Sequence, residues 1–238
     1  LVSLMHANNE IGTLLPIEEV SSICHEHQHV YFHSDTVQTM GHYKFDVKKL
    51  KIDFLVCSAH KFHGPKGIGF LYVNKNLHLN PIITGGSQER GHRGGTENLY
   101  GIIGLGKAME LAFTDLEDHQ EHVQNLKTHL IEQLRKIDSR IKFNGELNIQ
   151  KSLYTVISVR FPKDICNSML LFSLDIHGIA TSGGSACSSG STKGSHVLAE
   201  LPDQDDYQSV RFSFSRYNTK KEVEFTLDKI SSIVANKK

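Results

Sequence analysis

The sequence predicts an α/β protein, and three observations carry that prediction. Short apolar runs at Val30–Phe32, Phe54–Cys57 and Gly69–Val73 are bounded by Gly, Pro or polar residues, as buried strands are. Other stretches repeat apolar residues at helical spacing. The composition is that of a globular chain, with 238 residues, 39% hydrophobic and 22% charged, 19 Gly and 5 Pro. That length suits one large domain or two modest ones.

The elements follow in order. Leu1-Val2-Ser3-Leu4 is a strand-like apolar run with nothing before it, so the sequence reads as cut from a longer chain. Pro16 suits the first turn of a helix, Glu18 and Glu19 complement its positive end, and Ile17, Val20 and Ile23 keep near-helical spacing. The three short strands come next. Residues 84–98, TGGSQERGHRGGTEN, hold five glycines and two arginines and form a loop. Leu105, Met109, Ala112 and Leu116, then Val123, Leu126, Leu130, Leu134 and Ile137, keep one apolar face and predict a long, bent helix. A strand alternating Leu153, Thr155, Ile157 and Val159 follows, then a helix near Ile165 to Leu174. After a Gly/Ser-rich stretch from Ser182 to Ser195 come a strand over Val210–Phe214 and a closing helix. In that helix Thr219 and Glu222 have capping-box spacing, and Val223, Leu227, Ile230 and Val234 form a stripe. Two domains are expected: 1–105, the remainder of a large domain, and 106–238, a connecting helix with a small C-terminal domain.

Composition excludes several classes of function. Lys+Arg and Asp+Glu both number 26, so the basic footprint that binds nucleic acid or anionic membranes is missing. No apolar stretch approaches the ~18 residues of a membrane span, and the first residues lack a signal-peptide pattern. Four scattered cysteines, Cys24, Cys57, Cys166 and Cys187, fit a reducing compartment, which points to the cytoplasm. His25, His27 and His29 crowd together, yet only His25 and His29 share a helix face and no further ligand joins them. No metal site is expected.

Chemistry gathers at strand ends. Ser58-Ala59-His60-Lys61 follows a strand, and in open α/β sheets ligands sit outside the carboxyl ends of strands. A lysine amine placed there can hold an aldehyde as a Schiff base. His33-Ser34-Asp35-Thr36-Val37-Gln38 also follows an apolar strand, so Asp35 emerges on the same rim, as a partner for a protonated ring nitrogen or as a helix N-cap. Cys187, in the run from Ser182 to Ser191, lies among residues too rich in Gly and Ser to pack rigidly, where a thiol is reactive. Cys24, Cys57 and Cys166 read as fillers, the last in a helix. On the Val210–Phe214 strand, Arg211 and Ser213 take the face opposite Val210, Phe212 and Phe214.

These segments, MHANNEIGT (5–13), HSDTVQ (33–38), SAHKFHGPKG (58–67), GGSQERGHRGGTEN (85–98), GGSACSSG (183–190) and VRFSFSRYNT (210–219), resemble those of NifS-like cysteine desulfurases. That family lies in the class V branch of fold-type I pyridoxal-phosphate enzymes. The resemblance implies the C-terminal part of the pyridoxal-phosphate transferase fold: the rest of a large domain with a mostly parallel sheet, plus a small α+β domain. It implies that Lys61 carries the cofactor, Asp35 pairs with its pyridine nitrogen and Gln38 contacts its ring hydroxyl. Ser58 and His60 would hold the phosphate, and Thr96, in a loop at a homodimer interface, would reach the phosphate of the partner subunit. Asn9 would lie near cofactor and substrate carboxylate, and Arg211 would bind that carboxylate. Cys187 would take sulfur from L-cysteine as a persulfide and pass it to an acceptor, an iron–sulfur scaffold protein or a thiolation relay. The family's upstream phosphate-binding turn and ring-stacking histidine lie before this sequence begins. About the first third of a subunit is therefore expected to be cut away or supplied by another chain. Selenocysteine lyase activity, or a non-catalytic piece acting in dimerisation or partner binding, are the alternative readings.

Overall fold

A computed structural model of the chain describes residues 1–166, 169–183, 195–202 and 206–235. They fall into two compact units, 1–6 with 15–116 and 7–14 with 117–238.

The first unit is built on a four-stranded sheet in the order β1 (Val2–Met5), β2 (Phe32–Asp35), β3 (Phe54–Ser58), β4 (Gly69–Val73). The first three strands are parallel and β4 is an antiparallel edge, so the sheet is mostly parallel, as expected. Met5 pairs with Asp35 and Asp35 with Val56, which aligns the carboxyl ends of β1 to β3. The helices are α1 (Ile17–His25), with Pro16 at its N-cap rather than in its first turn, and α2 (Leu99–Thr114). Ile17 and Cys24 of α1 and Ala108 and Ala112 of α2 join Phe32, Leu55, Cys57 and Phe62 in one apolar core. The strands were expected to be buried throughout, but they alternate: Phe32, Ser34, Leu55 and Cys57 are buried, whereas His33, Asp35 and Val56 are half-buried. Within the unit the apolar cluster covers one face of the sheet, and side-chain alternation leaves the other more open. Strand β2 begins at Phe32, two residues later than its apolar run, where Phe32 N–H donates to buried Asp53 Oδ2 at 2.9 Å.

The expected long helix is two helices. Asp115 leaves the helical region at φ −121°, ψ 38°, and α3 (Leu116–Ile137) restarts with Glu117 and Asp118 in its first turn.

The second unit packs an antiparallel sheet, β5 (Lys142–Asn144), β6 (Val156–Pro162), β7 (Tyr207–Ser213), against α3 and α6 (Lys220–Ala235). Two short helices, α4 (Leu170–Ile176) and α5 (His196–Ala199), complete it. β6 is the central strand, and every one of its residues is buried. Leu153 and Thr155, expected within it, precede it in a loop. Cys166, expected in a helix, sits in a turn before α4, its Sγ 3.3 Å from Pro162 O. The C-terminal helix carries its capping box: Thr219 N–H donates to Glu222 Oε2 at 2.6 Å and Glu222 N–H to Thr219 Oγ1 at 3.3 Å. Leu134 of α3 is fully buried in this core, so Leu134→Ala should lower unfolding free energy by about 2–5 kcal/mol. Ile149→Ala, at a side chain 58% exposed, should change it by about 0.5 kcal/mol or less. Urea unfolding measures both, and equal effects would contradict this core.

Candidate functional site

The first group of candidate residues lies where the parallel strands end. Asp35 closes β2, half-buried, and its Oδ1 accepts from Val37 N–H at 2.9 Å. This is an Asx-turn, so the helix N-cap reading of Asp35 does not hold. Thr36 donates to Val56 O through N–H at 3.2 Å and Oγ1 at 2.7 Å, which ties the exit from β2 to β3. Gln38 is half-buried in the same turn. Beyond β3 the chain makes a single 3₁₀ turn, Ala59–Phe62, that presents Lys61 exposed. Gly64 N–H closes this turn on Ala59 O at 2.9 Å, and a Cβ at Gly64 would lie 2.8 Å from that of Ala59. His42 Nε2, which the sequence did not suggest, lies 3.4 Å from the Lys61 carbonyl. Ser58 Oγ and His60 Nδ1 are 2.8 Å apart.

Beneath the rim His6 is buried against the edges of Tyr43 and Phe45, with Nδ1 2.9 Å from Thr39 Oγ1. Burial lowers its pKa to about 4, so it is neutral at physiological pH. Thr96 is not part of the rim group. It is exposed in the glycine-rich loop that leads into α2, where Glu89 and Arg90 adopt positive φ of 50° and 57°.

The second group lies in the second unit around the turn 7–14. Asn8 Oδ1 accepts from Glu10 N–H at 2.9 Å and Ile11 N–H at 3.0 Å, and Gly12 N–H donates to Asn8 O at 3.0 Å. Gly145, at φ +75°, faces the turn so closely that a Cβ there would stand 2.5 Å from Ile11 O. Leu153 N–H donates to Gly12 O at 2.7 Å. Lys127, buried in α3, donates to Ser152 Oγ at 2.7 Å and Leu153 O at 2.9 Å, and burial lowers its pKa to about 8. Arg211 of β7 reaches the same turn, its Nη1 donating to Asn9 O at 2.7 Å. Asn9 and Arg211 are thus brought together. Cys187 lies outside the described residues. Of those beside it, Ser182 pairs with Arg211 in an antiparallel bridge, and Ser195 Oγ donates to Glu10 Oε2 at 2.5 Å.

The aminotransferase class-V family matches residues 1–225. The chain belongs to that family. Among relatives of this class-V chain, a cysteine desulfurase IscS from Dictyoglomus turgidum is 44% identical over 98% of this chain and 59% of its own length. Another IscS, from Methanosarcina thermophila, is 44% identical over 98% of this chain and 57% of its own length. A solved NifS-like protein superposes with a TM-score of 0.86 at 36% identity, covering 99% of this chain and 61% of its own. The apo structure of a cysteine desulfurase from Thermococcus onnurineus NA1 gives 0.84 at 27% identity, over 99% and 60%. The chain therefore spans about 60% of the length of these relatives. The class-V, NifS-like resemblance and the fold it implied are borne out, and the family works with pyridoxal phosphate. No helix among the described residues is long and apolar enough to cross a membrane.

The rim residues fit that cofactor chemically. A carboxylate suits a pyridinium nitrogen, a lysine amine suits an aldehyde, and an adjacent hydroxyl and imidazole suit a phosphate.

Proposed function

We propose that the whole protein is a cysteine desulfurase, which takes sulfur from L-cysteine, releases L-alanine and leaves a persulfide on Cys187. The observation that carries this reading is the gathering of Asp35, Ser58, His60 and Lys61 at the carboxyl rim of parallel strands. The cysteine desulfurase relatives support it.

Pyridoxal phosphate, when bound, supplies an electron sink for the charge left at the substrate Cα. Lys61 Nζ would hold the cofactor aldehyde, and its amine would move the substrate's Cα proton. The Asp35 carboxylate would favour the protonated ring nitrogen, Gln38 would bond the ring hydroxyl, and Ser58 and His60 would donate to the phosphate. Asn9 and Arg211 receive the substrate carboxylate, for which a planar guanidinium is suited. The Cys187 thiolate attacks the substrate sulfur. An S–S bond forms, the Cβ–S bond breaks, and its electron pair stays on Cβ, which takes a proton to become the methyl group of alanine. The persulfide sulfur then passes to an acceptor, an iron–sulfur scaffold protein or a thiolation relay.

The protein acts as a homodimer in this reading, with Thr96 reaching the phosphate in the partner copy. The face of α2 that follows Thr96 supports this, for Tyr100 is 89% and Ile103 63% exposed. Its place is the reducing cytoplasm, consistent with free Cys24, Cys57 and Cys166.

The test is to incubate the cofactor-loaded, full-length protein with L-cysteine and measure alanine and the mass of the Cys187 peptide. Equal release of alanine and persulfide is expected in a single turnover, and no alanine would overturn the reading. Arg211→Ala should leave the cofactor absorbance unchanged while affinity for cysteine falls roughly ten- to a hundredfold, the equivalent of one charge-assisted hydrogen bond. Unchanged cysteine binding would remove Arg211 from the substrate site.

A further inference from the structure

Among its described residues the second unit buries one carboxylate, that of Glu10, which is 2% exposed. The chemistry proposed above gives it no task. A carboxylate withdrawn from water is costly unless its oxygens are well bonded. Its partner is Ser195 Oγ, which donates to Glu10 Oε2 and accepts from the N–H groups of Val197 and Leu198 at 3.2 and 3.1 Å. Ser195 thus caps α5 and is pinned to the 7–14 turn by one side chain.

Ser182 is fastened as firmly. Arg211 N–H donates to Ser182 O at 2.7 Å, and Ser182 N–H returns to Arg211 O at 3.2 Å. Cys187 lies between these two serines in the sequence. One end of its segment is therefore held by the backbone of Arg211 and the other by the side chain of Glu10. Arg211 in turn bonds Asn9 O, the residue next to Glu10. A nucleophile must arrive within roughly 3–3.5 Å of the atom it attacks, so the anchors of its segment set how often it does.

We propose that Glu10 is a positioning residue for sulfur transfer: its buried carboxylate fixes Ser195, and so one end of the Cys187 segment, to the turn that orients Arg211. This rests on the desulfurase reading. Glu10 touches neither substrate nor cofactor in this account. It acts by tying the nucleophile's segment to the seat of the substrate carboxylate.

The experiment compares Glu10→Ala and Glu10→Gln with wild type in the full-length, cofactor-loaded protein. It follows persulfide formation on Cys187 by mass spectrometry, KM for cysteine, and the rate of Cys187 alkylation by iodoacetamide without cysteine. Cys24, Cys57 and Cys166 are buried, and alkylation is read on the Cys187 peptide itself by mass spectrometry. Glu10→Ala should slow persulfide formation roughly ten- to a hundredfold, the worth of one hydrogen bond to a charged acceptor, and leave KM near wild type. Its Cys187 should be alkylated faster. Glu10→Gln keeps an oxygen that accepts from Ser195 and should restore both rates. Wild-type rates in Glu10→Ala, equal losses in the two variants, or a loss that appears in KM alone would each overturn the proposal. A wild-type protein that forms no persulfide on Cys187 would sink the desulfurase reading instead. The alkylation contrast between the two variants would then still decide whether Glu10 holds the segment.

Discussion

Lys61→Ala is expected to abolish alanine formation. Lys61 has two tasks in the proposed reaction, attachment of the cofactor and movement of the Cα proton. Loss of the proton transfer alone lowers the rate on the order of 10²–10⁴-fold. The side chain is exposed on a 3₁₀ turn and its ammonium joins no ion pair among the described residues, so its removal should leave the fold intact. The same residue can be found without mutation: borohydride reduction of the loaded protein followed by peptide mapping should place a pyridoxyl group on Lys61. A label on Lys66, five residues on and outside the turn, would overturn the assignment. Loaded protein that keeps wild-type turnover after Lys61→Ala would do the same. A full-length protein that never takes up pyridoxal phosphate would favour a non-catalytic role in dimerisation or partner binding.

Cys187→Ala should eliminate the persulfide while cysteine still binds and shifts the cofactor absorbance. Cys24 in α1, Cys57 in β3 and Cys166, whose Sγ lies 3.3 Å from Pro162 O, are all buried and cannot replace it. Burial also raises the pKa of the Cys57 thiol, which lowers its thiolate fraction further. Selenocysteine supplies the discriminating arm, because a selenolate leaves more readily and needs less help from a nucleophile. Breakdown of selenocysteine that survives in Cys187→Ala, with desulfuration lost, fits the desulfurase. Undiminished desulfuration would show that Cys187 is not the acceptor and would favour the lyase.

The rim was legible in the sequence because each of its residues follows a strand whose apolar run is itself visible. Asp35, three residues beyond Val30-Tyr31-Phe32, and Lys61, three beyond β3, need only the rule that parallel strands end together. The second group was legible by residue type but not by arrangement. Arg211 and Asn9 stand 202 residues apart, and Ser195 and Glu10 185 apart, and no local pattern encodes such pairs. Secondary structure failed where packing overrode local preference. The alternation of Leu153, Thr155, Ile157 and Val159 suggested a strand beginning at Leu153, yet β6 begins at Val156 and is buried at every position, Ser158 and Arg160 included. With three residues, β5 is too short for any periodicity to show.

The chain passes between the two units after residues 6, 14 and 116, not once. This constrains how such proteins can recombine. A chimera that joins one relative's first 116 residues to another's remainder would not exchange the second unit whole, for the 7–14 turn would come from the wrong parent. That foreign turn would have to meet Gly145, where a Cβ has no room against Ile11 O, and Leu153, whose N–H seeks Gly12 O. Shuffling among relatives should therefore favour crossovers that carry this octapeptide together with the C-terminal half, so that two distant stretches of the gene are inherited as one.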